Sequence, residues 1–160
     1  MNPVPRPLTD DDWPGVLALE TETYAGSGLS EDPAALASRA GRDTSFVLAA
    51  DRRIVGYVLA LSYPRFHFPD LSHPDTTAFA SDNLHLHDLV VARGHRRVGL
   101  GTRLLHHLTA EARRQAYRLI SLVAVGDGAL FWSANGFRPH PGITPPVAYG
   151  PGAAYMSRPL

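Results

Sequence analysis

The feature that most restricts the fold of this chain is a turn rich in glycine and arginine between two apolar segments. Residues 84–92 are mostly apolar and are followed closely by Arg96-Arg97-Val98-Gly99-Leu100-Gly101-Thr102. Beyond the turn, leucine recurs every four residues from Leu100 to Leu108, which is the spacing of one helix face. The pattern therefore predicts a buried strand, a tight turn and then a helix over residues 99–117.

The backbone at the start of this helix has the chemistry of an anion site. The first N–H groups of a helix have no partner within it, and with the helix dipole they attract a negative group. Gly99 and Gly101 let a pyrophosphate approach the backbone, and Arg96 and Arg97 can add charge-assisted hydrogen bonds. The same residues also fit a glycine turn with solvated arginines. A dinucleotide fingerprint would need a third glycine where Leu104 stands, and a nucleotide P-loop would need a Gly-Lys-Ser/Thr ending.

The remaining segments predict a single α/β domain over residues 1–160 with a central sheet. The composition, 44% hydrophobic and 19% charged, is that of an ordinary globular protein. Residues 64–82 form a long loop whose Phe66, Phe68 and Phe79 either line an apolar pocket or pack without a binding role. The other expected elements are an edge strand at 5–8, helices at 9–23 and 30–41, strands at 45–50 and 54–63 joined by a hairpin, a strand at 119–125, a helix at 128–135, and final strands at 143–148 and 153–158.

Charge and cysteine content exclude several classes of function. The 15 basic and 15 acidic residues cancel, so the chain has no overall bias toward nucleic acid or membrane surfaces. The absence of cysteine excludes disulfides, thiolate metal sites and a cysteine nucleophile. The longest apolar run, residues 54–61, is far shorter than the roughly 20 residues of a membrane helix. The first residues do not resemble a signal peptide, so we expect a cytoplasmic protein.

These motifs resemble those of the GNAT superfamily of acyl-CoA N-acyltransferases. The family signature Arg/Gln-x-x-Gly-x-Gly/Ala is matched by Arg96, Gly99 and Gly101. The segment Phe131-Trp132-Ser133-Ala134-Asn135-Gly136-Phe137 is similar to the aromatic-x-x-x-Gly-Phe end of the family's last helix. The order and spacing of the elements agree over nearly the whole chain.

The resemblance implies both a fold and a cofactor. The fold would be a mixed, mostly antiparallel sheet of about seven strands flanked by about four helices, splayed between the strands at 84–92 and 119–125. Acetyl-CoA would enter that gap as co-substrate, and no metal is implied. Its pantetheine arm would pair with Leu89-Val90-Val91, and its phosphates would lie on the turn from Arg96 to Thr102. Trp132 is expected either to pack in the core, as aromatic residues usually do, or to wall the acyl channel.

A His-x-His pair lies nine and eleven residues before Arg96 and adds a closer likeness to arylalkylamine (serotonin-type) N-acetyltransferases. In that group such a pair is implicated in taking the proton from the amine through water, which assigns the catalytic base to His85 and His87. Histidine suits this task because its pKa is ordinarily near 6.5. Residues two apart on a strand share a face, so both histidines are expected to point one way and Asp88 the other.

Two other interpretations of the histidines remain open. They can be buried residues satisfied by their neighbours, or they can bind a metal with His67 or His73 as a third ligand. Asp88 is interpreted as structural, bonding a backbone group or orienting a neighbour. A backbone N–H near residues 89–91 is expected to hydrogen-bond the thioester carbonyl.

The chain departs from the family where the leaving thiolate is protonated. The tyrosine usually found four residues before Gly136 is replaced by Trp132, whose indole N–H is not a practical acid. Ser133, a water molecule or a tyrosine elsewhere are the candidates for this step, unless no acid is needed. The asparagine often found near the start of that helix is also missing, and Val125 stands about there.

The expected reaction is direct transfer of acetyl from acetyl-CoA to a primary amine of a small molecule, without a covalent intermediate. A homodimer is compatible with the sequence. The rival hypotheses are a non-catalytic acyl-CoA-binding regulatory module, an acetyltransferase of a protein or peptide amine, and a metal-dependent enzyme that uses the two histidines.

Overall fold

The computed structural model describes residues 3–96 and 98–160, which are organised around a seven-stranded open sheet. The strands are β1 (Arg6–Pro7), β2 (Phe46–Ala50), β3 (Arg53–Ser62), β4 (Asn83–Val91), β5 (Leu119–Ala124), β6 (Arg138–Pro139) and β7 (Ala154–Pro159). The helices are α1 (Trp13–Tyr24), α2 (Pro33–Ser38), α3 (Leu100–Arg114) and α4 (Ala129–Ala134), with 3-10 turns at Asp10–Asp12, Arg93–His95 and Val147–Tyr149.

The strand order is β1-β2-β3-β4-β5-β7-β6, and the single parallel pairing within the described sheet is that of β4 with β5. The other neighbours are antiparallel. The predicted fold, with about seven strands and four helices, is therefore confirmed. The predicted β2–β3 hairpin is also present, and Asp51 and Arg52 at its turn have φ of 50° and 65°, as expected for a two-residue hairpin turn.

Helices cover both faces of the sheet. The leucines that α3 repeats every four residues pack on one face, in a cluster that includes Leu104, Leu108 and Leu86. On the opposite face α1 and α2 contribute Val16 and Leu36 to a second cluster. Burial of both sheet faces holds the central strands β3, β4 and β5 in place, and the candidate site lies where two of these strands separate.

The predicted strand at 143–148 is wrong. On the side away from β5, β7 pairs instead with the two-residue strand β6, at Arg138–Pro139. Residues 147–149 form a 3-10 turn. Pro145 and Pro146 explain the difference, because neither has an N–H group to donate to a strand ladder. The predicted strand at 153–158 is confirmed as β7.

None of the helices within residues 3–96 and 98–160 combines the length and apolar character needed to cross a membrane.

The packing of α3 gives a direct test of the core. Leu104 has 0% of its surface exposed, whereas Leu130 on α4 is 82% exposed. Leu104→Ala leaves a cavity and should lower the free energy of unfolding by about 2–5 kcal/mol. The control Leu130→Ala should change it by less than about 0.5 kcal/mol. Urea denaturation measures both, and equal effects would contradict this placement of α3.

Candidate functional site

The centre of the sheet contains a gap between β4 and β5. The two strands pair only at their beginnings, from Asn83 with Leu119 to His85 with Ser121, and then separate. β4 continues to pair with β3 on its other side as far as Val91. The later half of β4 therefore has one unpaired edge, and that edge faces the gap.

The backbone direction along β4 shows which N–H groups face the gap. Ala92 donates its N–H to the carbonyl oxygen of Val55, just beyond the start of β3, at 2.8 Å. Alternate residues of an antiparallel strand turn their N–H groups to opposite sides. Leu89 and Val91 therefore direct theirs away from β3 and into the gap, where they can bind a ligand.

The glycine turn places the start of α3 beside the gap. Gly99 adopts φ of +81°, in the left-handed region that favours glycine, and precedes the first helical residue. The backbone N–H of Arg103 donates to the Gly99 carbonyl oxygen at 2.9 Å. The N–H groups of Leu100, Gly101 and Thr102 precede this bond, so they form the N-terminal end of the helix as predicted.

The predicted turn residues differ in how they relate to the gap. Arg96 donates its Nε–H to the Val91 carbonyl at 2.9 Å, at the end of the unpaired edge. Val98 is exposed, and the side chain of Leu100 is buried in the core. Arg97, also predicted to bind the cofactor, lies outside the described residues.

The gap forms a cleft of about 300 Å³. Leu89 and Val91 line it, whereas Val90 points to the opposite face and packs in the α1–α2 cluster. Trp132 also lines the cleft, as predicted for a wall, but Ser133 is exposed and does not. The full set of lining residues is Tyr24, Leu86, His87, Asp88, Leu89, Val91, Gly101, Leu122, Val123, Val125, Gly128, Phe131 and Trp132.

A β-bulge in β4 changes the predicted side-chain directions. Leu59 of β3 pairs with Asp88, and the next residue, Ala60, pairs with Leu86, so His87 is the extra residue. The two consecutive residues His87 and Asp88 therefore point to the same face. The expectation that Asp88 points away from the histidines is wrong, because simple alternation fails at the bulge.

His85 lies before the bulge, where β4 and β5 still pair. Its Nδ1 is 2.9 Å from the Ser121 hydroxyl. The residue is buried and does not line the cleft. Burial, helped by the nearby His87 and Arg39, lowers the pKa of His85 to about 3. The imidazole is therefore neutral at neutral pH and held by its neighbours.

His87 forms a close pair with a carboxylate from another part of the chain. Its Nε2 lies 2.5 Å from Oε2 of Glu31, which precedes α2. The Nδ1 atom is buried and has no hydrogen-bond partner within the described residues. If Nε2 carries the proton shared with Glu31, then Nδ1 carries the free lone pair.

Glu31 remains ionised despite its burial. Burial raises its pKa, but the hydrogen bond from His87 and the charge and hydrogen bonds of Arg39 outweigh it, so the pKa of Glu31 lies below its usual range. Glu31 thus supplies a fixed negative charge that orients the His87 ring.

Asp88 lies between two tyrosine hydroxyls. Tyr24, the last residue of α1, donates to Oδ1 at 2.5 Å, and Tyr57 donates to Oδ2 at 2.7 Å. Burial raises the pKa of Asp88 to about 6, although His87 and the two hydroxyls lower it in part. This carboxyl group can therefore change protonation state near neutral pH.

A second, smaller space of about 40 Å³ adjoins the cleft. Leu29 and Glu31 from the α1–α2 loop, Leu71 from the long loop and Tyr149 from the last 3-10 turn contribute to its walls. We call this space the acceptor chamber. It shares five lining residues with the cleft, namely Tyr24, His87, Asp88, Val123 and Val125.

Arg39 holds the walls of the acceptor chamber together. This side chain has 0% of its surface exposed. It donates from Nε and Nη2 to Glu31 Oε1 at 3.0 and 2.9 Å, and from Nη1 to Asp75 Oδ2 at 2.6 Å. Nη2 also donates to the carbonyl oxygens of Asp70 and His73 at 2.7 and 2.8 Å. One buried guanidinium thus connects the long loop to the residue that orients His87.

The aromatic residues of the long loop do not line the acceptor chamber. Phe66, Phe68 and Phe79 pack edge-on or tilted against aromatic rings elsewhere in the chain, including Tyr155 and Tyr63. They fix the loop, and Leu71 is the residue that the loop presents to the chamber. Of the two predicted roles for these aromatics, the structure supports packing.

Sequence reasoning missed Tyr24, Glu31 and Arg39, and it assigned Asp88 only a structural role. No local pattern marks these residues, because each meets its partner across a long stretch of chain.

Within residues 3–96 and 98–160, no group of three or more His, Asp or Glu side chains is arranged to hold a metal ion. His67 and His73 are therefore not brought together with the His-x-His pair as a ligand set.

Comparisons with known sequences found one family match. A sequence model of the acetyltransferase (GNAT) family matches residues 13–132, which is more than half of the chain. A search of curated protein sequences gave no match.

Solved structures share the fold at low sequence identity. Ard1 from Thermoplasma volcanium has 17% identity and a TM-score of 0.75, with 100% of this chain and 99% of that chain covered. The ribosomal-protein-S18-alanine N-acetyltransferase from Escherichia coli has 18% identity and a TM-score of 0.72, covering 99% and 94%. The PaiA N-acetyltransferase from Thermoplasma acidophilum, solved with coenzyme A, has 14% identity and a TM-score of 0.66, covering 100% of both chains.

The burial of His85 predicts a pH dependence of stability. Its pKa is about 3 in the folded protein and near 6.5 in the unfolded chain. Between these values the unfolded chain binds more protons, so the free energy of unfolding falls as the pH falls, by up to about 1.4 kcal/mol per pH unit. Asp88, with its raised pKa, acts in the opposite direction between about 6 and 4 in every variant.

His85→Asn isolates the histidine contribution, because Asn can keep the hydrogen bond to Ser121. Urea denaturation at several pH values between 4 and 7 should show a smaller loss of stability on acidification for this variant than for the wild type. Parallel curves for the two proteins would contradict the assigned burial of a neutral imidazole.

Proposed function

The chain belongs to the acetyltransferase (GNAT) family, and on this premise we propose that it transfers acetyl from acetyl-CoA to a primary amine of a small molecule. The observation that carries the proposal is the cleft between β4 and β5, which meets a helix N-terminus and opens into the acceptor chamber. Transfer proceeds by direct attack of the amine on the thioester, without a covalent enzyme intermediate. The binding of coenzyme A by a structural neighbour, the PaiA N-acetyltransferase, supports the choice of donor.

The donor binds along the cleft. The N–H groups that open α3, at Leu100, Gly101 and Thr102, hold the pyrophosphate, with Arg96 adding positive charge at the same end. The pantetheine arm lies along the unpaired edge of β4 and meets the N–H group of Val91. Val98 belongs to the same turn and is exposed there.

The thioester carbonyl lies beside the bulge. There the N–H of Leu89, which faces the gap, donates to the carbonyl oxygen and stabilises the negative charge that develops when the amine attacks. Trp132 on α4 bounds the cleft on the other side and limits access of water to the thioester.

The base in this proposal is His87. Its Nδ1, left without a partner while Glu31 holds Nε2, accepts the proton from the attacking amine, directly or through a water molecule. His85, which the sequence paired with His87 in this role, lies outside the cleft and helps to fix the strand through Ser121. The base is therefore assigned to one member of the His-x-His pair.

We take the acceptor to be a small amine, because the chamber of about 40 Å³ is much smaller than the donor cleft. The chamber walls combine aliphatic and aromatic side chains with the carboxylates of Glu31 and Asp88, which attract an ammonium group. The neighbour from Escherichia coli, a ribosomal-protein-S18-alanine N-acetyltransferase, keeps a protein amine as the competing acceptor class.

The proposed reaction predicts coenzyme A binding together with amine-dependent thiol release. Calorimetry should detect saturable binding of CoA and acetyl-CoA. A panel of small primary amines, polyamines and peptides with free N-termini should include at least one small amine that raises thiol release above background hydrolysis. CoA binding without amine-dependent release would assign the chain to a non-catalytic binding module, and preference for peptides would overturn the small-molecule acceptor.

A substitution at Gly101 tests whether coenzyme A binds in the cleft. A Cβ added there would lie 3.7 Å from Leu89 and 3.8 Å from Phe131, inside the cleft. Gly101→Val should therefore weaken CoA binding by about tenfold or more by filling this space. Gly142→Val, at a site with nothing within 4 Å of the added Cβ, should bind like the wild type. Equal affinities in the two variants would contradict the assigned cleft.

The base assignment predicts a loss of turnover with retained donor binding. His87→Asn should lower kcat by about 10²-fold or more, while calorimetry shows little change in CoA affinity. His106→Asn is the matched control, because His106 is exposed on α3. Wild-type turnover in His87→Asn would contradict the assignment, and an equal loss in His85→Asn would show that the histidines act as a pair.

A further inference from the structure

The donor cleft and the acceptor chamber meet at five residues, Tyr24, His87, Asp88, Val123 and Val125. During transfer the carbonyl carbon is bonded to the leaving sulfur and to the attacking nitrogen at once. If the donor fills the cleft and the amine fills the chamber, this carbon must lie at their junction. Among the five junction residues, only Tyr24, His87 and Asp88 can give or take a proton.

The side chains of α4 leave the protonation of sulfur unassigned. Trp132 faces the cleft, but its indole N–H does not act as an acid. Ser133 carries a hydroxyl, but it is exposed and does not line the cleft. A side chain that protonates the thiolate in place of water therefore has to come from another element of the site.

Tyr24 reaches the junction from the end of α1. Its hydroxyl donates to Asp88 Oδ1 at 2.5 Å, so its position is fixed. The other tyrosine on Asp88, Tyr57, donates to Oδ2 at 2.7 Å but is fully buried and lines neither space. The two tyrosines share the same carboxylate and differ in whether they face the substrates.

Resting on the proposed function, we propose that Tyr24 is the catalytic acid that gives its hydroxyl proton to the leaving sulfur of coenzyme A. The C–S bond breaks and an S–H bond forms with the Tyr24 proton. At the other side an N–H bond of the amine breaks, the N–C bond of the amide forms, and His87 takes the proton. The net result is one proton moved from nitrogen to sulfur.

Asp88 completes the proton cycle. The bulge places it beside His87 on one face, and its carboxylate touches the Tyr24 hydroxyl. Asp88, in contact with the Tyr24 oxygen, returns a proton to it, while His87 releases the proton taken from the amine to solvent. Burial and the negative charge of Asp88 hold the pKa of Tyr24 well above its usual range, so the phenol is protonated between turnovers.

The paired variants Tyr24→Phe and Tyr57→Phe test this role. Each removes one hydroxyl from Asp88, so a purely structural role predicts similar losses from both. A catalytic acid predicts that Tyr24→Phe lowers kcat by about 10²-fold, at least about tenfold more than Tyr57→Phe. The CoA affinity of both variants, measured by calorimetry, should stay close to that of the wild type. Equal losses of kcat, or none, overturn the proposal.

Fluorinated tyrosine keeps the test decisive if Tyr24→Phe does not fold. Site-specific 3,5-difluorotyrosine has nearly the same shape as tyrosine and a more acidic phenol. At position 24 the more acidic phenol should change kcat several-fold, and at position 57 it should leave kcat close to that of the wild type. Equal values of kcat for the two fluorinated proteins overturn the proposal.

The assays distinguish an error in the role of Tyr24 from an error in the proposed function. If the wild type releases no thiol with any amine, the function is wrong and the role of Tyr24 falls with it. If the wild type is active and the two tyrosine variants behave alike, the function stands and only the assignment of the acid is wrong.

Discussion

The separation of β4 from β5 is the constraint on which the rest of the site depends. Three residue pairs hold the two strands in parallel, and β4 then stays with β3 while β5 stays with β7. A sheet normally satisfies backbone groups on both edges of a central strand, so an unpaired edge in the middle of a sheet needs another partner. A ligand that is itself extended and carries amide groups, such as a pantetheine arm, can supply that partner. The helix that follows β4 begins beside this edge, so one short stretch of chain provides both the strand edge and the helix N-terminus.

The β-bulge gives the cleft its chemistry. In a regular strand His87 and Asp88 would point to opposite faces, and one of them would lie in the core beneath α3. The extra residue turns both toward the α1 side, where Tyr24 and Glu31 approach from other elements. The bulge thus brings a histidine, a carboxyl group and a phenol to the point where the cleft and the chamber meet. His85 precedes the bulge and is held by Ser121, where β4 and β5 still pair.

The parts that could be predicted from the sequence are those that local residues determine. The turn from Arg96 to Thr102 was predictable because glycine and helical periodicity act over a few residues, and the β2–β3 hairpin was predictable for the same reason. The strand predicted at 143–148 failed because two prolines outweighed the β-branched residues beside them. The direction of Asp88 could not be predicted, because the bulge is a property of the pairing with β3 and has no signal in β4 alone. The partners of His87 and Asp88 could not be predicted either, since Glu31 and Tyr24 reach them only through the tertiary fold.

Arg39 shows how residues that are distant in the sequence are held in position relative to one another. Burying a guanidinium is costly, and the attraction to its partners often does little more than offset that cost. Its contribution therefore lies more in position than in stability. Its donors reach Glu31, Asp75 and two carbonyl groups of the long loop, so the loop cannot move without disturbing the carboxylate that orients His87. A flexible loop at this place would leave both the chamber and the imidazole without a fixed geometry. The buried ion cluster thus makes the shape of the acceptor chamber and the orientation of His87 depend on one side chain.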